Sequence, residues 1–415
     1  MNKCSLFLLF LLISAIHFQT VARDYLRGDC DLNGVVTIKD VTVLIDYLIT
    51  GEWSTTPPPD DEDYRKLNIL VIGNSHSLDS WSYVPFILKN YGIESNISLF
   101  YYPYGSLINS LSWGVATNVV ENYSTPRSDA IIYRIDTSSD TFWTKAVPGS
   151  TSAQDAVKGA IMVDGVMTYD NTEWDIIAVQ CSHQESAAPN ISTIDRTAPA
   201  FEVVPTLYNY IYDDAANKNF VFGWSIHHTV VYDEEEQYGQ IGGQNRWCNY
   251  GDIDYDRESL YNIKRACINN GVGIVFPAGT AIMNARGYAE LNELGTGRTK
   301  ALLADNVHLN DGFPCYIASL SIVESLFRRY YPHLSVIDDS TVINQYTVNA
   351  YTAPGSINVP NDSNIIEVTN EYAAVAKFLA LQANDYPFTK FSHETKSITY
   401  DGTEPEPELV PEPEQ

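Results

Sequence analysis

Apolar and polar residues follow two different periods along most of the chain. Short, continuously apolar runs of the kind found in buried strands alternate with stretches in which apolar residues recur at helical spacing. The strand-like runs are 67–72, 97–102, 176–180, 220–224 and 273–276, and the helical stretches are 84–91, 203–212, 260–269 and 314–331. Strands that alternate with helices form parallel sheets covered on both faces. The pattern therefore predicts an α/β three-layer sandwich over 67–390 with a central parallel sheet of roughly five strands.

One interval, 106–174, does not follow this alternation. Two pieces, 130–135 and 160–168, look extended and are joined there by turns. We interpret the interval as an insertion in the α/β domain, placed where it could form a cap over a site.

The two ends of the chain differ in composition from the α/β domain. Residues 1–22 combine an early lysine, a short apolar run and small residues before a cleavage point after Ala22, which is typical of a secretory signal. The apolar run is shorter than the roughly 20 residues that a membrane span needs. Residues 52–66 form a Pro-rich acidic linker, and 391–415 an acidic tail predicted to be disordered. We expect a bacterial protein that is secreted, periplasmic or on the cell surface, without a membrane span.

The charge and composition of the chain limit the kinds of partner that it can bind. With 25 basic and 52 acidic residues the net charge is −27, which argues against nucleic acid, because phosphate binding needs clustered Lys and Arg. The 28 tyrosines and 7 tryptophans would suit stacking on sugar rings, although aromatic residues also fill ordinary cores. The cysteines show neither a disulfide framework nor a CxxC zinc pair.

A twelve-residue acidic loop in the small module 23–51 has the spacing of a calcium site. Oxygen-bearing side chains stand at positions 1, 3, 5, 9 and 12, glycine at position 6, and position 7 offers a carbonyl. Calcium takes six to eight oxygen ligands, which such a loop supplies from one short segment. The predicted ligands are Asp29, Asp31, Asn33, Thr37, Asp40 and the carbonyl of Val35.

This loop and the apolar stretch that follows it resemble one EF-hand repeat of a dockerin, the cohesin-binding module of glycan-degrading assemblies. A dockerin has two such repeats, and the chain shows one. The resemblance implies Ca²⁺ binding and a cohesin-like partner, whereas a single repeat could also serve as a structural stub.

Two polar motifs at opposite ends of the α/β domain carry candidate chemistry. Gly73-Asn74-Ser75 follows the first predicted strand, where parallel sheets bind ligands and where a serine that starts a helix has backbone N–H groups nearby. Asp305 and His308 precede the last helical stretch. A nucleophilic serine needs a histidine to take its proton, and a carboxylate to orient that histidine. The alternatives are an N-capping serine and a surface histidine.

Together these motifs resemble the SGNH (GDSL-like) hydrolase superfamily, and more narrowly a bacterial branch that starts with Gly-Asn-Ser-x-Ser. The resemblance covers about residues 67–331 and implies a flavodoxin-like fold with Ser75, His308 and Asp305 as catalytic residues and no catalytic cofactor. Gly105 stands where the family's second-block glycine donates an N–H to the oxyanion hole. After its third strand the family carries a motif with an asparagine, and the chain departs from that motif. A side-chain amide from Gln180, which we prefer, or from Gln184 would replace the asparagine.

The motifs lead to one expected function and two alternatives. We expect a serine esterase, a carbohydrate esterase that removes acyl groups, acetyl foremost, from extracellular polysaccharide. The alternatives are a lipase or thioesterase, and a non-catalytic glycan-binding protein on the same fold. His227 and His228 follow the fourth strand, where they either contact substrate or pack. Adjacent strand residues face opposite ways, so they are a poor metal pair.

Overall fold

A computed structural model gives the fold of the α/β domain. It describes residues 66–101, 123–126, 130–138, 141–145, 151–163, 166–181, 204–229, 253–291, 301–303, 307–339 and 366–391. The predicted signal segment and calcium module lie outside the described residues, as do all but one residue each of the linker and the tail. All described residues except Arg328–Pro332 belong to a compact unit formed by Asp63–Phe327 and His333–Gln415.

A seven-stranded sheet with the order β4-β3-β2-β1-β7-β8-β9 forms the centre of this unit. Five of its strands, in the order β2-β1-β7-β8-β9, are parallel, as the apolar runs predicted. Their runs are apolar on both faces because both faces of a parallel sheet are covered. The strands are β1 Leu67–Gly73, β2 Ser95–Tyr101, β3 Ile131–Asp136, β4 Thr141–Lys145, β7 Ile176–Val179, β8 Val221–Ser225 and β9 Ile274–Phe276.

The interval 106–174, interpreted above as an insertion and a cap, extends the sheet in its described part. Strand β3 pairs antiparallel with the edge of β2, and β4 pairs antiparallel with β3. Most of β3 is buried, so it belongs to the core rather than to a cover. Two further strands, β5 Ala160–Val163 and β6 Val166–Tyr169, form a separate antiparallel hairpin. The sheet is therefore mixed and wider than the predicted five strands.

Helices flank the sheet and complete the α/β fold. They are α1 Ser75–Trp81, α2 Val84–Asn90, α3 Ala153–Val157, α4 Val204–Asp214, α5 Ile253–Asn269, α6 Ala278–Ala285, α7 Phe313–Tyr330 and α8 Asn370–Asp385. Aromatic residues join helices to strands, as where the ring of Trp81 in α1 meets Phe276 of β9 edge-on at 5.0 Å. Within the described residues, no helix has the length and apolar character of a membrane span.

The strand order creates a topological switch point at β1. Strand β1 has β2 on one side and β7 on the other, and both pair with it in parallel. The connections from β1 and toward β7 therefore leave in opposite directions at this point. Open α/β sheets bind ligands at such a switch point, beyond the carboxyl ends of the strands.

Candidate active site

Ser75 stands at the carboxyl end of β1, as its motif predicted. It is the first residue of α1 and is partly exposed, whereas the rest of that helix is buried. Asn74 caps the helix because its Oδ1 accepts the His76 N–H at 3.1 Å. The Asn74 carbonyl accepts the N–H groups of Ser77 at 3.0 Å and Leu78 at 3.3 Å. These bonds use the N–H groups of the three residues that follow Ser75.

Gln180 follows β7 and ties this strand to the start of α1. Its Nε2 donates to Asn74 Oδ1 at 2.8 Å, and its Oε1 accepts a short hydrogen bond from Ser77. Gln180 is 2% exposed, so these bonds are shielded from water. A Cβ at Gly73 would overlap the Ser77 side chain, which explains the glycine. Gln180 therefore lies at the site, with one amide hydrogen committed to the helix cap.

His308 lies on a loop, 307–312, that precedes α7. The carbonyl of Val307 accepts a hydrogen bond from His228 Nε2 at 2.7 Å, and the Leu309 N–H donates to Asp79 Oδ2 at 3.0 Å. The two residues that flank His308 are thus both fastened to other elements of the fold. At the end of the loop, Gly312 has a φ of 83° and packs against the Ile366 carbonyl, so a side chain would not fit.

The structure brings four of the chain's eight histidines together beside Ser75. The ring of His76, the residue after Ser75, is at their centre. Its centroid is 4.5 Å from that of His228, 5.8 Å from that of His227 and 6.2 Å from that of His308. The two motifs, more than 200 residues apart in sequence, therefore meet at the carboxyl edge of the sheet.

The placement of His227 and His228 differs from the sequence-based expectation. Strand β8 ends at Ser225, so the alternation of strand residues does not apply, and both rings approach His76. Both are buried, at 0% and 1% exposure, which favours packing over substrate contact. His227 Nδ1 lies 3.8 Å from Cys181 Sγ. Among the described residues, no group of three or more His, Cys, Asp or Glu is placed to hold a metal ion.

A buried ionic cluster supports the segment that carries His228. Arg286 donates to the Thr229 carbonyl at 2.5 Å and forms an ion pair with Asp256 at 3.0 Å, with both side chains almost fully buried. The Thr229 hydroxyl donates to Asp256 and accepts from Arg286. Lys390 lies nearby, and burial is the largest cause that lowers its pKa to about 8.

Several predicted site residues are not among the described ones. Asp305, Gly105 and Gln184 lie outside the described residues, as do the predicted calcium ligands Asp29, Asp31, Asn33, Val35, Thr37 and Asp40. Conversely, sequence reasoning missed His76 and Asp79. Asp79 is four residues after Ser75 in α1, a spacing that places two residues on one helix face and could have drawn attention to it.

A buried thiol near the site is unsuited to act as a second nucleophile. Cys315 follows the His308 loop, in the first turn of α7. Burial raises its pKa well above the usual value for a thiol, and the negative charges of Asp79 and Asp311 raise it further. The thiol therefore stays protonated, and the thiolate is the reactive form.

No family model and no curated protein matches this sequence. Among solved structures, the chain is similar to the crystal structure of a DUF4886 family protein from Bacteroides uniformis, with a TM-score of 0.52 and 17% sequence identity. The similarity covers 79% of this chain and 98% of that one. At this level of identity it shows a shared α/β fold and nothing more specific.

Proposed function

We propose that the chain is an exported serine esterase of the SGNH type that removes acyl groups, acetyl foremost, from extracellular polysaccharide. One observation carries the proposal. The ring of His308 lies 6.2 Å from that of His76, beside the start of α1, where Ser75 is partly exposed at the switch point of a mostly parallel sheet. A hydroxyl and an imidazole at that position form the core of a serine hydrolase site.

The reaction would pass through an acyl-enzyme. The Ser75 hydroxyl attacks the acyl carbon while His308 takes its proton, and His308 then delivers that proton to the departing sugar alcohol. A water molecule attacks the acyl-serine in the same way, which releases the carboxylic acid and restores the serine. Asp305 is the proposed carboxylate that orients His308 and stabilises its cationic form.

The negative charge that develops on the acyl oxygen needs hydrogen-bond donors beside Ser75. The proposed donors are the N–H groups of Ser75 and Gly105 and one side-chain amide, from Gln180 or Gln184. Gln180 has a second amide hydrogen besides the one that it donates to Asn74, which supports our preference for it. Removing one such donor typically costs about 10²–10³ in kcat.

The substrate class is supported by features outside the described residues. A signal segment would export the chain, and a Ca²⁺-binding repeat similar to a dockerin would place it beside glycan-degrading proteins. These features favour a polysaccharide ester over a fatty acyl ester. A cohesin-like protein is the corresponding proposed partner.

Hydrolysis of p-nitrophenyl acetate and acetate release from acetylated glycans test the proposal. We expect Ser75→Ala and His308→Ala to lower kcat by several orders of magnitude. Ser335→Ala is the matched control. Ser335 is also a partly exposed serine at the start of a helical turn, but it caps the separate turn Val336–Asp338. Full activity in Ser75→Ala would refute Ser75 as the nucleophile, whereas an inactive wild-type protein that still binds glycans would replace the esterase with the glycan-binding alternative.

A further inference from the structure

We propose that Asp79 and His228 are positioning residues that fasten the loop of His308 to the helix of Ser75. This inference rests on the proposed function, because it assigns the two residues a part in aligning the nucleophile and its base. Neither residue needs to touch the substrate for this role.

The two contacts hold opposite sides of His308. The Val307 carbonyl accepts a hydrogen bond from His228 Nε2 at 2.7 Å, and the Leu309 N–H donates to Asp79 Oδ2 at 3.0 Å. A carbonyl oxygen can only accept, so His228 carries a proton on Nε2. Fixing the carbonyl before His308 and the N–H after it defines the direction of the backbone from which the ring projects.

Asp79 links the loop directly to the nucleophile's helix. Asp79 and Ser75 are four residues apart in α1 and share a face of that helix. Any shift of α1 therefore moves the hydroxyl of Ser75 and the anchor of Leu309 together. Asp79 is 7% exposed, and a hydrogen bond from a backbone N–H to a carboxylate is stronger than one between neutral groups.

His228 is held in place by the elements behind it. The Gly279 N–H donates to the Ile226 carbonyl at 2.8 Å, which fixes the chain just before the two histidines. After them, Arg286 holds the Thr229 carbonyl at 2.5 Å. With both ends fixed and a ring that is 1% exposed, His228 has little freedom to move away from Val307. We call the contacts of Asp79 with Leu309 and of His228 with Val307 the clamp. The clamp joins α1, the segment after β8 and the His308 loop.

Kinetic assays of paired variants separate positioning from packing. His228→Leu removes the donor and fills most of the space, whereas His228→Gln keeps an N–H donor close to the Nε2 position. We expect His228→Leu to lower kcat about 10–100-fold with KM within about twofold, because a displacement on the order of 1 Å near the reacting groups costs up to about 10²-fold. His228→Gln should recover most of this loss.

His227→Leu is the matched control for His228. His227 is equally buried and also approaches His76, but its Nδ1 faces Cys181 rather than the loop. We expect similar effects of the two leucine variants on thermal stability, but a large loss of kcat only at His228. Equal kcat in folded His228→Leu and wild type, or no recovery in His228→Gln, would overturn the proposal.

Amide hydrogen exchange tests the clamp independently of catalysis. Asp79→Ala should speed exchange of the Leu309 amide about tenfold or more, whereas Asp79→Asn, which keeps an acceptor oxygen, should leave it nearly protected. If the wild-type protein hydrolyses no ester but the exchange pattern holds, the proposed function fails and the clamp stands as a structural device. If the esterase is confirmed and Leu309 exchange is the same in all three proteins, only the clamp fails.

Discussion

Gly279→Ala tests how the site depends on close backbone packing. Gly279 lies in the first turn of α6, and its N–H donates to the Ile226 carbonyl at 2.8 Å. A Cβ there would overlap the backbone carbonyl group of His227 and lie 2.5 Å from His228 N. These are backbone atoms that cannot rotate away, so the segment after β8 would have to move by roughly 1 Å to reach ordinary contact.

The size of the effect follows from this geometry. Overpacking typically costs about 1–3 kcal/mol, and weakening the hydrogen bond to Ile226 adds about 1 kcal/mol. We therefore expect Gly279→Ala to lower the free energy of unfolding by about 2–4 kcal/mol. Because the moved segment holds Val307, kcat for p-nitrophenyl acetate should also fall, by about 10–100-fold.

A second glycine provides the control for this variant. A Cβ at Gly223 in β8 would lie 3.1–3.2 Å from the side chains of Ala178, Ile274 and Phe276. These neighbours need to shift by only a few tenths of an ångström to make room for it. Gly223→Ala should therefore cost less stability and little kcat. Urea denaturation and steady-state kinetics measure both quantities. A Gly279→Ala protein with the stability and kcat of the wild type would refute the close approach of the two backbones.

Two further predictions concern charge and calcium. Burial lowers the pKa of Lys390 from 10.5 to about 8. The positive charges of Arg286 and Arg257 also lower this pKa, whereas the negative charge of Asp256 opposes the shift. Between these pH values only the unfolded chain holds the proton, so the free energy of unfolding should rise by about 3 kcal/mol with pH. In Lys390→Met this rise should disappear from urea denaturation curves, and parallel curves for both proteins would contradict the reasoning. Asp29→Ala should abolish Ca²⁺ uptake in calorimetry of the full chain and leave esterase activity nearly intact, because the Pro-rich linker uncouples the two parts. An unchanged calcium isotherm would refute the predicted site.

The apolar pattern determined the central part of the fold. Each of the five parallel strands overlaps a predicted apolar run, and the helices α2, α4, α5 and α7 overlap the predicted helical stretches, with α5 starting seven residues earlier than predicted. This was predictable because a strand buried on both faces must be continuously apolar, and a helix beside a sheet must repeat its apolar residues at helical spacing. The motifs also located Ser75 and His308 at the carboxyl edge of the sheet, since loops after parallel strands meet there.

The tertiary structure decided what depends on distant pairing. Strands β3 and β4 join the sheet because β2 offered an open edge, and residue types alone do not say which edge an extended segment will pair with. Strand β8 ends at Ser225, so the alternation of side chains along a strand does not extend to His227 and His228. Both rings can therefore approach His76. The two contacts that hold the His308 loop join distant residues. His228 and Val307 are 79 positions apart in the sequence, and Asp79 and Leu309 are 230 apart. Local sequence patterns extend over a few residues, whereas these contacts exist only after the sheet and its helices have packed.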